Sequence, residues 1–331
     1  MISMPATTQP TMVPGYEHVP GNHCGSTALR NLLAYHGLEI SEEMALGLGA
    51  GVCFYYVVLE GQSPSRFTNG RVGKLEEQFV ELTGIELRLD TADDPGESWR
   101  LAREAVDAGR PAVLLSDLYY LDHYGKSAHF PGHAVVLAGY DDEVAFLSDT
   151  AFEELQTTRL DNLAKARHSQ HPVYPLAGHM FSVPEGETPH DPREAAPRAI
   201  ERGVSQMFEP ELGEFQGLPA LRRFADEVGS WPEATDDWQW SARFNYQVIE
   251  RRGTGGGNFR RMYARFLHEA GREESSLAQE AAERWTELAG ALHEASESDQ
   301  PRAGPWSRIG TDAGRVLDAE ERLWGALART R

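Results

Sequence analysis

The sequence predicts two domains of different class: an α+β domain with an antiparallel sheet over residues 1–185, then an all-helical domain over 186–331. Three observations carry that prediction. At 331 residues the chain exceeds one typical hydrophobic core. Up to about residue 183 it gives helices first and then a run of short β-rich stretches, the order expected of an α+β fold. Residues 184–197 are rich in Pro and Glu without periodicity, and every later stretch repeats its apolar residues at helical spacing.

Taken in order, residues 1–15 contain Pro5, Pro10 and Pro14 and read as a loosely ordered lead-in. Gly21-Asn22-His23-Cys24 is a polar turn delivering Cys24 to a helix whose Ala28, Leu29, Leu32 and Leu33 share a face and which Gly37 closes. Ser41 caps a second short helix, with Glu42 and Glu43 in its first turn. Residues 52–59 form a strand in which Cys53 is a packed core residue. Helices over 74–83 and 99–108 alternate with strands over 86–89 and 111–117. After a polar, aromatic loop from Tyr119 to Phe130, His133 opens one strand of a hairpin that turns at Asp141-Asp142-Glu143, and Asp149 closes the other. Leu160 to Ala166 reads as a helix and His179 to Val183 as a last strand. Helices over 193–208, 218–229, 237–251, 258–269, 276–296 and 306–329 make the second domain a bundle.

Composition excludes several functions. The net charge is −20, and Lys74, Lys126 and Lys165 are the only lysines. So acidic a surface disfavours nucleic-acid binding, which needs clustered cations. It fits either a high-salt source or a high-GC genome, which composition does not separate. Two cysteines make neither a disulfide framework nor, without a CxxC, a zinc site, and a reducing cytoplasm is expected. No run reaches bilayer-spanning length, and no basic start followed by an apolar core marks a secretory leader, so no membrane partner is expected.

The chemistry concentrates at Cys24. A thiol at a helix start sees the positive end of the helix dipole, which favours thiolate. A cysteine nucleophile also needs a base and a group to orient that base. His133 at a strand start and Asp149 at the end of the paired strand supply both, in the order Cys, His, Asp of papain-like enzymes. An oxyanion donor is also needed. Six residues before Cys24, where papain-like enzymes carry glutamine, the chain has His18, and Asn22 is the nearest amide. Either would serve. His23 is read as a solvated turn residue or as a group that tunes the thiol. His129, with Asp122 and His123 nearby, suggests either a metal site or a lining of the catalytic site; the loop position of His129 removes the helical ligand spacing, so no metal is assigned. Gly253-Thr254-Gly255-Gly256-Gly257-Asn258 before a helix, with Arg260 and Arg261, is either a phosphate-holding turn or a plain helix–helix connection. It lacks the Gly-Lys-Ser/Thr ending of a P-loop.

The block His23-Cys24-Gly25-Ser26-Thr27-Ala28-Leu29-Arg30-Asn31, with Ser41-Glu42-Glu43-Met44 and His129-Phe130-Pro131-Gly132-His133, resembles the N-terminal domain of the butirosin biosynthesis protein H family. Residues 249–260 and 263–267 resemble the uncharacterised helical domain that often follows it. The resemblance implies a papain-like fold used for acyl transfer. Cys24 would take an acyl or aminoacyl group from a thioester donor, carrier-linked or CoA-like, His133 would act as base and then acid, and Asp149 would orient His133. An acyl carrier protein with its phosphopantetheine arm is one implied donor, with Gly255, Gly256 and Arg260 as candidate phosphate contacts. No resident cofactor is implied, the acceptor would be a small amine, and a homo-oligomer is compatible. Two other readings stay open: a cysteine amidase or peptidase of the same fold, and a binding protein without catalysis.

Overall fold

Residues 9–126, 128–172, 174–298 and 305–330 are described by the computed structural model. In chain order the elements of the first half are β1 (Thr11–Met12), α1 (Cys24–Tyr35), α2 (Glu42–Leu48), β2 (Val52–Val58), β3 (Arg66–Arg71), α3 (Leu75–Thr83), β4 (Arg88–Asp90), α4 (Pro95–Asp107), β5 (Ala112–Ser116), β6 (His133–Tyr140), β7 (Val144–Ser148), β8 (Gln156–Arg159), α5 (Leu160–Arg167) and β9 (Met180–Ser182). The second half is helical: α6 (Ala196–Phe208), α7 (Gly217–Glu227), α8 (Trp231–Ala234), α9 (Trp238–Glu250), α10 (Arg260–Glu269), α11 (Ser275–Ser296) and α12 (Trp306–Arg329). These elements fall into two units, Met1–Glu42 with Ile85–Asp191, and Glu43–Gly84 with Pro192–Arg331.

The first unit is an antiparallel sheet in the order β4-β9-β5-β6-β7-β8, with β1 paired to the far end of β6. Successive side chains on a strand point to opposite faces, so a strand buried on both faces must be apolar throughout. β5 is buried at all five positions and apolar at four, with Ser116 at its end the exception. Val113 and Leu115 join Val136, Ala28 and Leu32 under α1, while Ala112 and Leu114 join Val135, Leu137 and Leu163 with Ala102, Ala105 and Val106 of α4. The apolar face of α1 is thereby fixed against the strands that carry the other site residues. Asp94 caps α4 by accepting from the Glu97 N–H, with Pro95 at the first helical position.

In the second unit the β2–β3 hairpin is built into the helices through buried polar groups. Arg260 and Glu320 form a fully buried ion pair at 2.6 Å. The Glu320 carboxylate also accepts from Trp285 Nε1 at 2.6 Å and Trp324 Nε1 at 2.7 Å. Arg260 Nη1 donates onward to the carbonyls of Cys53 (2.9 Å) and Gly70 (3.2 Å).

Three sequence expectations change here. Residues 43–84 were expected in the first domain, but their hairpin is held by Arg260, so the compact units do not divide at 185/186. The lead-in is ordered at Thr11–Met12 by pairing with Gly139 and Tyr140, while its first eight residues lie outside the described ones. β3 and β8, both polar in sequence, are strands that periodicity did not announce.

Candidate active site

Cys24 is the first residue of α1 and half-buried. Its approach is fixed by two neighbours. His23 caps the helix, its Nδ1 accepting from the Ser26 N–H at 3.3 Å. The buried Glu42 carboxylate accepts from the backbone N–H groups of Asn22 (3.0 Å) and His23 (2.6 Å) and from Asn22 Nδ2 (3.2 Å). A Cβ at Gly21 would fall 2.2 Å from Thr27 Oγ1 and 2.8 Å from Glu42 Oε2, so this turn requires glycine. Glu42 is thus the anchor of the cysteine turn rather than only a first-turn acid of α2.

His133 opens β6, and Asp149 follows the last residue of β7. The register pairs Val136 with Ser148. One step further sets Asp149 opposite Val135, on the same face as His133. His133 Nε2 donates to Asp149 Oδ2 at 3.0 Å, and the Cys24 side chain hydrogen-bonds the same ring. Asp149 is fully buried and holds two further donors: His123 Nε2 to Oδ2 at 2.9 Å and the Tyr124 hydroxyl to Oδ1 at 3.1 Å. The edge of the Tyr124 ring also meets the His133 ring at 5.6 Å.

Burial alone would discharge the His133 ring, but the Asp149 carboxylate and the Cys24 sulfur outweigh it and push His133 up to about 10. Burial likewise opposes a charged Asp149, yet the charge of His133 and the bonds from His123 and His133 hold it well below the usual carboxylate range. Tyr124 moves upward, chiefly by burial and then by the Asp149 charge, so it stays a neutral donor. The arrangement can keep a proton on His133 while the sulfur beside it is thiolate.

The other expected site residues take different places. His18 spends both ring nitrogens, Nδ1 on Ser148 Oγ at 2.7 Å and Nε2 on the Phe152 carbonyl at 2.8 Å. It therefore staples the segment around Asp149 and has no N–H for an oxyanion. Asn22 is exposed, with one amide N–H on Glu42. His23 is buried rather than solvated, because capping α1 turns its ring inward. His129 pairs with Asp117 at 2.7 Å while Asp122 accepts from Arg159 N and Asn162 Nδ2, so the loop histidines and Asp122 diverge onto separate partners. Among the described residues no three His, Cys, Asp or Glu side chains converge to hold a metal.

The glycine turn is corrected. Gly255 and Gly256 have φ of 64° and 84°, and the turn bonds to itself, Gly256 N–H to Thr254 Oγ1 and Gly257 N–H to Glu250 Oε1. Arg260 is buried against Glu320, and Arg261, whose guanidinium lies against Gly256, donates to Thr286 Oγ1 at 2.8 Å beside the Glu250 carboxylate, so both arginines of the turn are engaged within the protein. Sequence reasoning missed Tyr124, and it noted His123 only as a neighbour of His129, not as a partner of Asp149. The only signal for Tyr124 was a polar, aromatic loop just before the His133 strand.

A cysteine at a helix start, hydrogen-bonded to an imidazole that a buried carboxylate holds on paired strands, defines the class: a papain-like cysteine enzyme. Residues 23–150 match butirosin biosynthesis protein H, N-terminal, and residues 161–327 match a domain of unknown function, DUF4872. The chain belongs to the family in which these two regions follow one another. A crystal structure described as a C39-like peptidase from Bacillus anthracis is similar over 54% of this chain and 98% of its own, at 15% identity and a TM-score of 0.39. No curated protein matches the chain. Among the described residues no helix is long and apolar enough to cross a membrane.

Proposed function

We propose that the protein is a cysteine-dependent acyltransferase that moves an acyl or aminoacyl group from a thioester donor to an amine through a thioester on Cys24. The observation that carries this is the unbroken line from Cys24 through His133 to the buried Asp149. The Cys24 thiolate attacks the donor carbonyl carbon, and the donor's sulfur leaves with the proton of His133. His133, now neutral, accepts a proton from the amine as its nitrogen attacks the Cys24 thioester, and the C–S bond breaks to return the thiolate–imidazolium pair. Asp149 orients the ring and favours its charged form. Asn22, the amide nearest Cys24, has a second N–H for the oxyanion.

Two considerations favour transfer over hydrolysis. The family's name places its namesake in a biosynthetic pathway, and an acidic protein of net charge −20 attracts a cationic amine. The same charge makes an uncharged small-molecule thioester a better partner than an acidic carrier protein. The test is the fate of an acyl group presented as its N-acetylcysteamine thioester with an excess of a primary amine. Amide product that disappears in Cys24→Ala supports transfer. Free acid alone, at a rate independent of the amine, identifies a hydrolase instead.

A further inference from the structure

A second Asp–His pair stands at the end of the sheet that carries His133. Ser116, the last residue of β5, pairs directly with His133, and Asp117 follows it. Asp117 is fully buried, and its Oδ1 accepts from the N–H groups of Tyr119 (3.2 Å) and Phe130 (2.9 Å), which closes the intervening loop. Its Oδ2 accepts from Ser169 Oγ (2.6 Å) and His129 Nδ1 (2.7 Å). The His129 ring stacks between Tyr119 at 4.1 Å and His171 at 5.0 Å, yet its side chain is 36% exposed. Three residues beyond His171, Tyr174 lies against Gly132, the neighbour of His133, and packs with Cys24 on one core cluster. The Phe130 ring reaches to 6.5 Å from that of His133. Through Phe130 and Tyr174 the stack is joined to residues that lie beside His133 and Cys24.

The loop needs Asp117 but not the imidazole, because the two backbone N–H groups close it. What the pairing does for His129 is chemical. An Nδ1–H held by a carboxylate fixes the tautomer, so Nε2 carries the lone pair on an exposed, rigid ring. Amide formation has a use for such a group. A primary amine enters as an ammonium and must lose two protons to become an amide, and His133 takes only the one released on attack.

We propose that His129, held by Asp117, is the base that removes the first proton from the acceptor ammonium; this rests on the acyl-transfer reading above. Nε2 takes that proton, the freed lone pair attacks the Cys24 thioester, and His133 takes the second. His129 then releases its proton to solvent. The acceptor class is a primary alkylammonium.

The test uses two amines with acetyl-N-acetylcysteamine thioester as donor: ethanolamine, an ammonium at neutral pH, and hydroxylamine, a neutral amine there. In His129→Gln the rate ratio of ethanolamine to hydroxylamine transfer falls about 100-fold, the lower end of general-base contributions. Added imidazole restores that ratio in His129→Ala. Alkylation of Cys24 by iodoacetamide reports whether each variant keeps its site. An unchanged ratio, or two rates that fall together, overturns the proposal and leaves His129 a structural residue. A wild-type protein that never acquires acetyl on Cys24 overturns the acyl-transfer reading itself, an outcome visible before any amine is added.

Discussion

At the scale of single residues, the electrostatics of the site turn on Asp149, where His133, His123 and Tyr124 converge on one buried carboxylate. Against its burial, Asp149 and Cys24 push His133 up to about 10 from the ordinary 6.5, so its charged form is favoured in the folded protein. The stability this contributes is complete below pH 6.5 and is lost as pH rises through about 10. The depressed Asp149 contributes above 3.8 and loses its contribution as pH falls below that value. Thermal melts of wild type against His133→Gln should therefore differ most between pH 3.8 and 6.5 and converge toward pH 10. Turnover should fall as His133 loses its proton near pH 10, while alkylation of Cys24 continues, because thiolate persists there. A melting difference that widens from pH 6.5 to 10 contradicts this account. Of these residues Cys24, His133 and Asp149 were legible in the sequence, since a helix start and two paired strand ends announce themselves locally. The roles of Glu42, His123 and Tyr124 were not, because each rests on a hydrogen bond to a partner at least 19 residues away along the chain.

At the scale of elements, legibility followed apolar content. β5 and β6 were plain because both faces are buried, and α1 because one face is. β3 was hidden: Arg66-Phe67-Thr68-Asn69-Gly70-Arg71 has no apolar alternation, and its backbone and side chains bond to remote helices, Asn245 Nδ2 to the Arg66 carbonyl at 2.8 Å and Thr68 Oγ1 to Asn245 Oδ1 at 2.5 Å. Glu320 shows the same dependence more sharply, since it neutralises Arg260 and fills the hydrogen-bonding needs of two buried tryptophans. Removing one member of a buried ion pair costs about 3–5 kcal/mol, because the other charge stays behind. Denaturant unfolding of Glu320→Ala should show that loss. A change below about 1 kcal/mol would mean the pair is solvated in solution.

At the scale of the whole molecule, two features matter. The first is the division into units, which the Pro- and Glu-rich stretch near residue 190 announced on one side only; the return of residues 43–84 to the second unit is written in tertiary contacts, the Arg260 hydrogen bonds and the packing of Phe54 on Trp285 among them. The second is the net charge of −20. Long-range attraction to a cationic acceptor is screened over about 10 Å at 0.1 M salt. The KM for ethanolamine should therefore rise with ionic strength while that for hydroxylamine holds constant, a difference that initial rates in a sodium chloride series measure. Equal responses would remove surface charge from the account. The central claim, an acyl group carried on one thiol, is tested most directly by intact mass of the protein after brief exposure to acetyl-N-acetylcysteamine thioester. The account predicts one added acetyl group on wild type, mapped to Cys24, and none on Cys24→Ala. No adduct on wild type, or an equal adduct on Cys24→Ala, would contradict it.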